Sequence, residues 1–446
     1  MDTAKRLTSL DILRGFTIAG MIIVNDPGSW SYVYPPLRHA SWHGITPTDF
    51  VFPFFLFIVG VSIVFALTKR QQSNAAQGPV IKKIVIRTAM IFGMGMFLAI
   101  SSTGYSYKVA QVFVGIILIY GLSEIQRPSG KGSLGRQQLL LGGMMLLALA
   151  LFIGLNPDFS LANIRIPGVL QRIALVFLAC AILFLKTTWR TQAIIGAVLL
   201  IGYWLLMAVV PVPIDEVVQG ALASGEVLRS SGMISVTGIE AISENFIAAN
   251  VEPGVNLQAW IDRMLIPGRI YEKTWDPEGL LSTLPAIGGG ITGMMAGHIV
   301  LSNSKKEQKA NHLFVYGFCL LLIGNVWDWF FPFNKNLWSS SFVMYTSGLS
   351  TLTFAALYWL VDLKEKGQGH PLFSMGKIFG ANAITAYVLH SLFARIAVPV
   401  KEGFMSASMG WGFAGEFASL LWALIYTFFI FLIVWVMYKR KLFLKL

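Results

Sequence analysis

Two histidines after the first apolar segment are candidates for proton-transfer chemistry. His39 and His43 flank Trp42 in a polar stretch between two long apolar runs. A histidine in such a place can stay neutral and act as a base near pH 7. For either histidine alone, an interfacial polar anchor is the more common interpretation. No third histidine or cysteine lies nearby, so the spacing does not predict a metal site.

Acidic and basic residues occur where the chain should enter or cross a membrane. Asp49 follows Pro47 and precedes an apolar run, which places its carboxylate at a helix N-terminus, where the helix dipole favours an anion. Asp11 and Arg14 are three residues apart, so they share one face of the first helix and can pair. That pair is either a functional intramembrane site or an ion pair that fixes helix packing, and the sequence leaves both open.

Further polar residues fall on the same side of the membrane as the histidines. Each of them could be a helix cap or a hydrogen bond between helices. Together they predict an outward-facing polar cavity, because groups this polar are too costly to point at lipid. The candidate substrate-binding residues are Trp42, Arg165, Arg172, Asp276, Glu278, Asn334, Lys335, Asn336, Asn382 and His390.

Composition identifies the elements that must position these side chains. Of 446 residues, 55% are apolar and 13% are charged, whereas soluble domains carry about 25% charged residues. A soluble globule is therefore excluded, and 32 Phe and 13 Trp exclude a disordered chain. Cys180 and Cys319 both lie in apolar runs, so no disulfide framework is predicted.

The fold class predicted is an all-α, polytopic transmembrane helical bundle, formed by residues 1–446 as one integral-membrane domain. A span needs roughly 20 apolar residues, and the sequence offers about twelve, or ten to twelve allowing for short segments. The predicted spans run approximately over residues 10–29, 49–68, 84–103, 109–125, 138–155, 168–186, 192–211, 283–302, 311–331, 342–362, 378–399 and 417–438.

The charge distribution predicts the orientation of the bundle. Of the 34 basic residues, 23 fall on one side of the predicted spans, which the positive-inside rule assigns to the cytoplasm together with both termini. The connection over residues 211–282 lies on the opposite side and carries ten acidic and four basic residues. Loops this long are commonly functional, so we expect it to fold as a periplasmic cap.

Several segments of the sequence resemble a known family. Residues 9–60, with the motifs His39–Trp42 and Thr46–Pro53, are similar to the heparan-α-glucosaminide N-acetyltransferase family of transmembrane acetyltransferases. Segments 165–172, 276–279, 334–338 and 380–390 resemble family segments in the same order, so the resemblance covers nearly the whole chain. Without the extra N-terminal luminal region of the animal enzyme, the chain looks like a bacterial-type protein of the inner membrane.

The resemblance implies transfer of acetyl from cytosolic acetyl-CoA to an amino sugar or glycan beyond the membrane. In the family the catalytic histidine precedes Ala-Ser-Trp, which here is His39, and the polar residue that ends the first core helix corresponds to Asn25. His43 departs from the family pattern and receives no role. His39 would act as a general base or as an acetyl carrier, and we favour direct transfer because a thioester is already activated. Asp49 or Asn25 could orient its ring.

The implied donor, acetyl-CoA, needs positive charge near the cytoplasmic face for its phosphates. For the lysines, a role as topology signals alone is an equally good interpretation. The candidate donor-binding residues are Asp11, Arg14, Lys82, Lys83 and Arg87.

Two other functions remain open from sequence. A glycan O-acetyltransferase would use the same donor chemistry. A multi-span transporter or flippase would also show broken helices and a polar cavity, although no inverted repeat is found to favour it. Expected partners are the lipid bilayer, acetyl-CoA, the sugar acceptor and a second copy of the chain in a homodimer, without nucleic acid.

Overall fold

The structure is a computed structural model that describes residues 7–72, 77–100, 104–125, 136–156, 159–224, 241–366 and 369–444. Within these residues the chain is predominantly helical, with sixteen α-helices and three short strands. The helices are α1 (Thr8–Asn25), α2 (Val51–Gln71), α3 (Gly78–Ala99), α4 (Tyr105–Ile125), α5 (Arg136–Leu155), α6 (Val169–Lys186), α7 (Trp189–Val209), α8 (Glu216–Ser224), α9 (Leu257–Leu265), α10 (Thr283–Leu301), α11 (Lys306–Asp328), α12 (Ser340–Leu357), α13 (Pro371–Ala381), α14 (Ala383–Ile396), α15 (Val398–Gly410) and α16 (Gly415–Lys439).

The helices confirm an integral membrane protein, but the predicted number of spans is not confirmed. Eight described helices are long and apolar enough to cross a membrane, or nine if α13 and α14, bent by 84° at a short break, count as one span. Each of the twelve predicted segments overlaps a helix. Two helices that match predicted spans but are not among the eight are α3, which carries Lys82, Lys83 and Arg87, and α12, which is rich in serine and threonine.

Several hydroxyls of α12 bond to a carbonyl of the preceding turn of the same helix. Thr346 donates to the carbonyl of Phe342 at 2.7 Å, and Ser350 donates to the carbonyl of Thr346 at 2.7 Å. A hydroxyl that bonds to the preceding turn can be buried in an apolar setting without another partner. The hydroxyls of α12 are therefore compatible with burial inside a membrane protein.

The described part of the long 211–282 connection is a folded segment. Strands β1 (Val212–Pro213), β2 (Ala241–Ser243) and β3 (Phe246–Ile247) form an antiparallel sheet in the order β1–β3–β2. Val212 and Ile247 are fully buried with Tyr203 and Met207 of α7. The connection thus packs on the end of α7, and its residues 225–240 lie outside the described part of the chain.

The chain divides into two compact units. The first contains Ala40–Ala99 and Leu161–Trp359, and it includes α2, α3 and α6–α12. The second contains Lys5–His39, Ile100–Ser160 and Leu360–Leu446, and it includes α1, α4, α5 and α13–α16.

Helices within each unit pack closely because small residues face each other. In the first unit a Cβ added at Gly60 of α2 would lie 1.9 Å from the carbonyl oxygen of Gly290 in α10. In the second unit a Cβ added at Gly15 of α1 would lie 1.8 Å from the carbonyl oxygen of Gly376 in α13. Small residues at such contacts let helix backbones approach, which is a main source of stability between membrane helices.

We predict that Gly60→Ala separates α2 from α10 and lowers the free energy of unfolding by about 1–3 kcal/mol, the usual cost of overpacking. The measurement is denaturant-induced unfolding of the detergent-solubilised protein, followed by tryptophan fluorescence. Gly202→Ala is the matched control, because it also lies in a membrane helix of the first unit and a Cβ there would meet nothing within 4 Å. Equal stability of the two variants would contradict the prediction.

Candidate active site

The carboxylate of Asp49 holds the loop that precedes α2. It lies in the 3-10 turn Pro47–Phe50 and is 1% exposed. Its Oδ2 accepts the backbone N–H of Thr46 at 2.9 Å, the Thr46 hydroxyl at 3.0 Å and the backbone N–H of Ala40 at 3.2 Å. Because Ala40 follows His39 directly, Asp49 fixes the backbone next to the candidate catalytic histidine.

The turn before α12 meets the same loop. The Nζ atom of Lys335 lies 3.8 Å from Oδ1 of Asp49, and burial lowers the pKa of Lys335 although the carboxylates of Asp49 and Glu278 act in the opposite direction. Nδ2 of Asn334 lies 3.4 Å from Nδ1 of His43. The predicted residues Lys335 and Asn334 thus adjoin Asp49 and His43.

Trp42 is buried between this loop and the folded 211–282 segment. Its Nε1 donates to the carbonyl of Val251 at 2.9 Å, and its ring packs edge-on against Trp275 at a centroid distance of 5.1 Å. With its side-chain donor satisfied and 7% of its surface exposed, Trp42 fixes the loop against the 211–282 segment.

Arg165 joins the two acidic residues that precede α10. Its Nε and NH2 atoms donate to the Asp276 carboxylate at 2.8 and 2.6 Å, and NH2 also pairs with Glu278. Asp276 is fully buried, and the guanidinium stacks over the ring of Tyr271 at 4.5 Å. The three predicted residues therefore form one ionic cluster around the buried carboxylate of Asp276.

Arg172 lies one turn into α6 and is 1% exposed. Its NH2 donates to the Ser282 hydroxyl at 2.5 Å and to the Gly279 carbonyl at 3.0 Å. Its guanidinium lies 5.1 Å from the ring centre of Trp338. No described residue accepts a hydrogen bond from its Nε or NH1 atoms, so the side chain retains buried donors that can serve a carbonyl or an anion.

Three residues that the sequence did not single out complete this end of the first unit. Asp262 of α9 accepts the N–H groups of Leu280 at 2.9 Å and Asp276 at 3.3 Å, and burial raises its pKa to about 7. Gln258, one turn earlier, donates to the carbonyls of Asp276 and Asn336, both at 3.2 Å. The Tyr203 hydroxyl lies 3.0 Å from Oε1 of Gln258. The i, i+4 spacing of Gln258 and Asp262 in a helix that follows an Asn cap was the available signal.

The second unit contains four predicted residues near the start of the chain, namely Asp11, Arg14, Asn25 and His39. Asn25 and His39 are exposed. Arg14 pairs with Asp11 at 3.4 Å and donates to the Gly380 carbonyl at 3.3 Å. The spacing-based prediction that Asp11 and Arg14 pair is confirmed.

Two more predicted residues of the second unit lie directly before α14 and within it. Asn382 stands at the bend before this helix, and no described residue bonds its buried amide. His390 hydrogen-bonds through Nδ1 to the carboxylate of Asp26, the residue that directly follows Asn25 at the end of α1.

The basic residues of α3 are exposed. Lys82 and Lys83 lie near its start, and the Arg87 guanidinium stacks 4.8 Å from the ring centre of Phe177. Nowhere in the described ranges do three or more His, Cys, Asp or Glu side chains form a group that could hold a metal ion.

Comparison with known proteins confirms the family resemblance. A sequence model of the heparan-alpha-glucosaminide N-acetyltransferase catalytic region matches residues 6–217. The human heparan-alpha-glucosaminide N-acetyltransferase is 26% identical over 435 residues, which cover 87% of this chain and 53% of the human protein. The mouse protein is 26% identical over 494 aligned positions, covering 100% of this chain and 61% of its own length. The chain thus spans little more than half the length of these relatives.

We predict that Arg165→Gln lowers the free energy of unfolding by about 3 kcal/mol, because it leaves the buried Asp276 carboxylate without its cation. Denaturant unfolding of the purified protein measures the change. Arg190→Gln is the control, since Arg190 is exposed and stacks only on Trp189. A cost for Arg165→Gln no larger than that of the control would show that the cluster does not stabilise this end of the unit.

Proposed function

We propose that the chain is a transmembrane acetyltransferase that moves acetyl from cytosolic acetyl-CoA to an amino sugar or glycan on the extracytoplasmic side. The observation that carries the proposal is the match of residues 6–217 to the catalytic model of an N-acetyltransferase family. That match contains His39 and the loop that Asp49 holds. The membrane helices give such an enzyme a way to connect a donor and an acceptor from opposite compartments.

His39 is the proposed general base. Attack of a sugar amine on a thioester requires removal of a proton as the C–N bond forms, and a positioned histidine contributes about 10² to 10⁴ in rate. The hydrogen bond from Ala40 to Asp49 supports this role, because it restrains the backbone beside His39. A backbone N–H or an asparagine at a helix start would hold the oxyanion.

The acceptor side is proposed to be the end of the first unit that contains the 211–282 segment. This end presents buried Arg172 donors, the Arg165 cluster and the Asn334–Asn336 turn, which are groups that can bind sugar hydroxyls and amines. The acidic charge of the 211–282 segment and the excess of basic residues in the alternate loops support an extracytoplasmic position for it.

An acceptor panel tests the reaction and separates it from its alternatives. Purified protein is incubated with labelled acetyl-CoA and glucosamine, glucose or a muropeptide, and the products are identified by mass spectrometry. N-acetylated glucosamine supports the proposal, O-acetylated product supports the glycan O-acetyltransferase, and no transfer to any acceptor leaves the transporter as the better explanation.

We predict that His39→Ala lowers turnover at least about a hundredfold while acetyl-CoA binding is retained, because only the base is removed. Initial rates with saturating substrates measure turnover, and calorimetry measures binding. His312→Ala, an exposed histidine on α11, is the matched control and should leave turnover unchanged. Near-normal turnover of His39→Ala would remove His39 from the mechanism and make His43 the next residue to test.

The same preparation distinguishes the two chemical routes. Direct transfer needs donor and acceptor bound together and gives intersecting double-reciprocal lines. An acetyl-His39 intermediate gives parallel lines and a labelled enzyme in the absence of acceptor. We favour direct transfer.

For the donor, we propose that Arg14 and the basic residues of α3 each supply positive potential for coenzyme A phosphates. We predict that Arg14→Ala raises the acetyl-CoA dissociation constant about tenfold, as expected for loss of one charge-assisted hydrogen bond. Arg14→Lys retains the charge and should show a smaller effect, while Lys401→Ala on α15 should show none. An unchanged dissociation constant for Arg14→Ala would exclude Arg14 from the donor site.

A further inference from the structure

A buried carboxylate–imidazole pair in the second unit is not used by the mechanism above. Asp26 caps the C-terminus of α1 and His390 lies in α14, and Nδ1 of His390 hydrogen-bonds to Oδ2 of Asp26. The two side chains are 14% and 8% exposed. A carboxylate can only accept, so Nδ1 carries the hydrogen and the neutral ring presents Nε2 as an acceptor.

The surroundings of the pair fix its geometry. The Tyr426 hydroxyl of α16 donates to the His390 carbonyl at 2.7 Å, and the Tyr387 ring packs edge-on against the imidazole at 5.8 Å. Within the described ranges, the titratable groups that contact His390 by a hydrogen bond or a ring contact are Asp26, Tyr387 and Tyr426. Further along α14, Arg395 is engaged elsewhere, by Oε1 of Gln111 at 2.5 Å and the carbonyl of Ile100 at 3.1 Å.

The remaining imidazole nitrogen is available. No described residue hydrogen-bonds to Nε2 of His390, and none of the described lysines or arginines pairs with Asp26. A carboxylate in a membrane helix bundle is costly, and such groups commonly mark proton or substrate pathways. Asp26 caps α1 through its backbone N–H, which donates to the carbonyl of Ile22, so capping does not account for the carboxylate–imidazole combination.

We propose that the Asp26–His390 pair accepts a proton from the ammonium form of the sugar acceptor and so makes His390 a second catalytic base. This inference rests on the proposed function. An amino sugar that arrives as R–NH₃⁺ must lose two protons before it becomes an amide, whereas His39 accounts for one of them. Asn25, the other predicted catalytic residue of the second unit, directly precedes Asp26 in the chain.

The proposed steps balance. Nε2 of His390 takes one proton from R–NH₃⁺, and the Asp26 carboxylate stabilises the imidazolium. The neutral amine then attacks the thioester, forming the C–N bond while His39 takes the second proton. The C–S bond breaks, the proton on His39 passes to the sulfur to give coenzyme A thiol, and the proton on His390 leaves to solvent.

The proposed role of the pair predicts a pH dependence for an amine acceptor. Glucosamine is cationic at low pH and neutral at high pH, because an amine of this kind has a pKa of about 8. A base that deprotonates the ammonium is therefore needed at low pH and becomes dispensable at high pH. A residue that only packs helices would show no such dependence.

The test measures kcat with acetyl-CoA and glucosamine from pH 6 to pH 9 for wild type, Asp26→Asn and His390→Gln. For both variants we expect kcat at pH 6 to fall about a hundredfold, the lower range for loss of a base, and to approach wild type within about threefold at pH 9. Asp26→Asn keeps the size of the side chain, so its folding is expected to be intact. His298→Gln is the matched control, because His298 is a hydrogen-bonded histidine of α10 outside the second unit.

The outcomes separate this inference from the proposed function. A wild-type protein that acetylates glucosamine, with variants that match it at all pH values, overturns the role of the pair and leaves the acetyltransferase in place. A loss that is equal at pH 6 and pH 9 assigns the pair a structural role and also overturns the inference. Absence of transfer by the wild type removes the proposed function and this inference with it.

Discussion

The buried guanidinium of Arg172 constrains the arrangement of the first unit. A cation one turn inside an apolar helix is costly unless it is paired or hydrogen-bonded. Gly279 and Ser282 supply oxygen atoms from the segment before α10, and Trp338 covers the guanidinium from the turn before α12. Two separate segments must therefore converge on α6 before this side chain can be buried.

The position of Trp338 shows what this convergence requires. Its backbone has φ = 54°, a left-handed conformation that large side chains rarely adopt. Asn334 stabilises the turn, since its side chain accepts the N–H of Leu337 at 2.8 Å and its carbonyl accepts the N–H of Ser339 at 3.0 Å. The strained turn places the Trp338 ring against Phe52 and over Arg172. Backbone strain is here retained where a buried cation needs an aromatic face.

The sequence predicted the structure where a local pattern determines it, but it did not predict contacts between segments that are distant in the chain. The Asp49 carboxylate lies at a helix start and Arg14 pairs with Asp11, as proline placement and i, i+3 spacing predicted. The partnership of Arg165 with Asp276 joins residues 111 apart, and no local pattern specifies it. The predicted number of spans was not confirmed because the hydropathy of a helix does not record how its polar groups are bonded. Helix α12 is long enough to be a span, but its hydroxyls, which bond to carbonyls of the same helix, lower its hydropathy.

Asp49 and Asp26 illustrate how the partners of a buried acid determine what it can do. Oδ2 of Asp49 receives hydrogen bonds from two backbone N–H groups and a hydroxyl, which are donors that do not release protons near neutral pH, and its Oδ1 lies 3.8 Å from Nζ of Lys335. Its role is to fix the loop that follows His39. Asp26 faces an imidazole, the side chain whose protonation changes most readily near neutral pH. Both acids look alike in the sequence, as a carboxylate at a helix terminus within two residues of a proline. Only the partner that the fold supplies distinguishes an anchor for a loop from an acid that can take part in proton transfer.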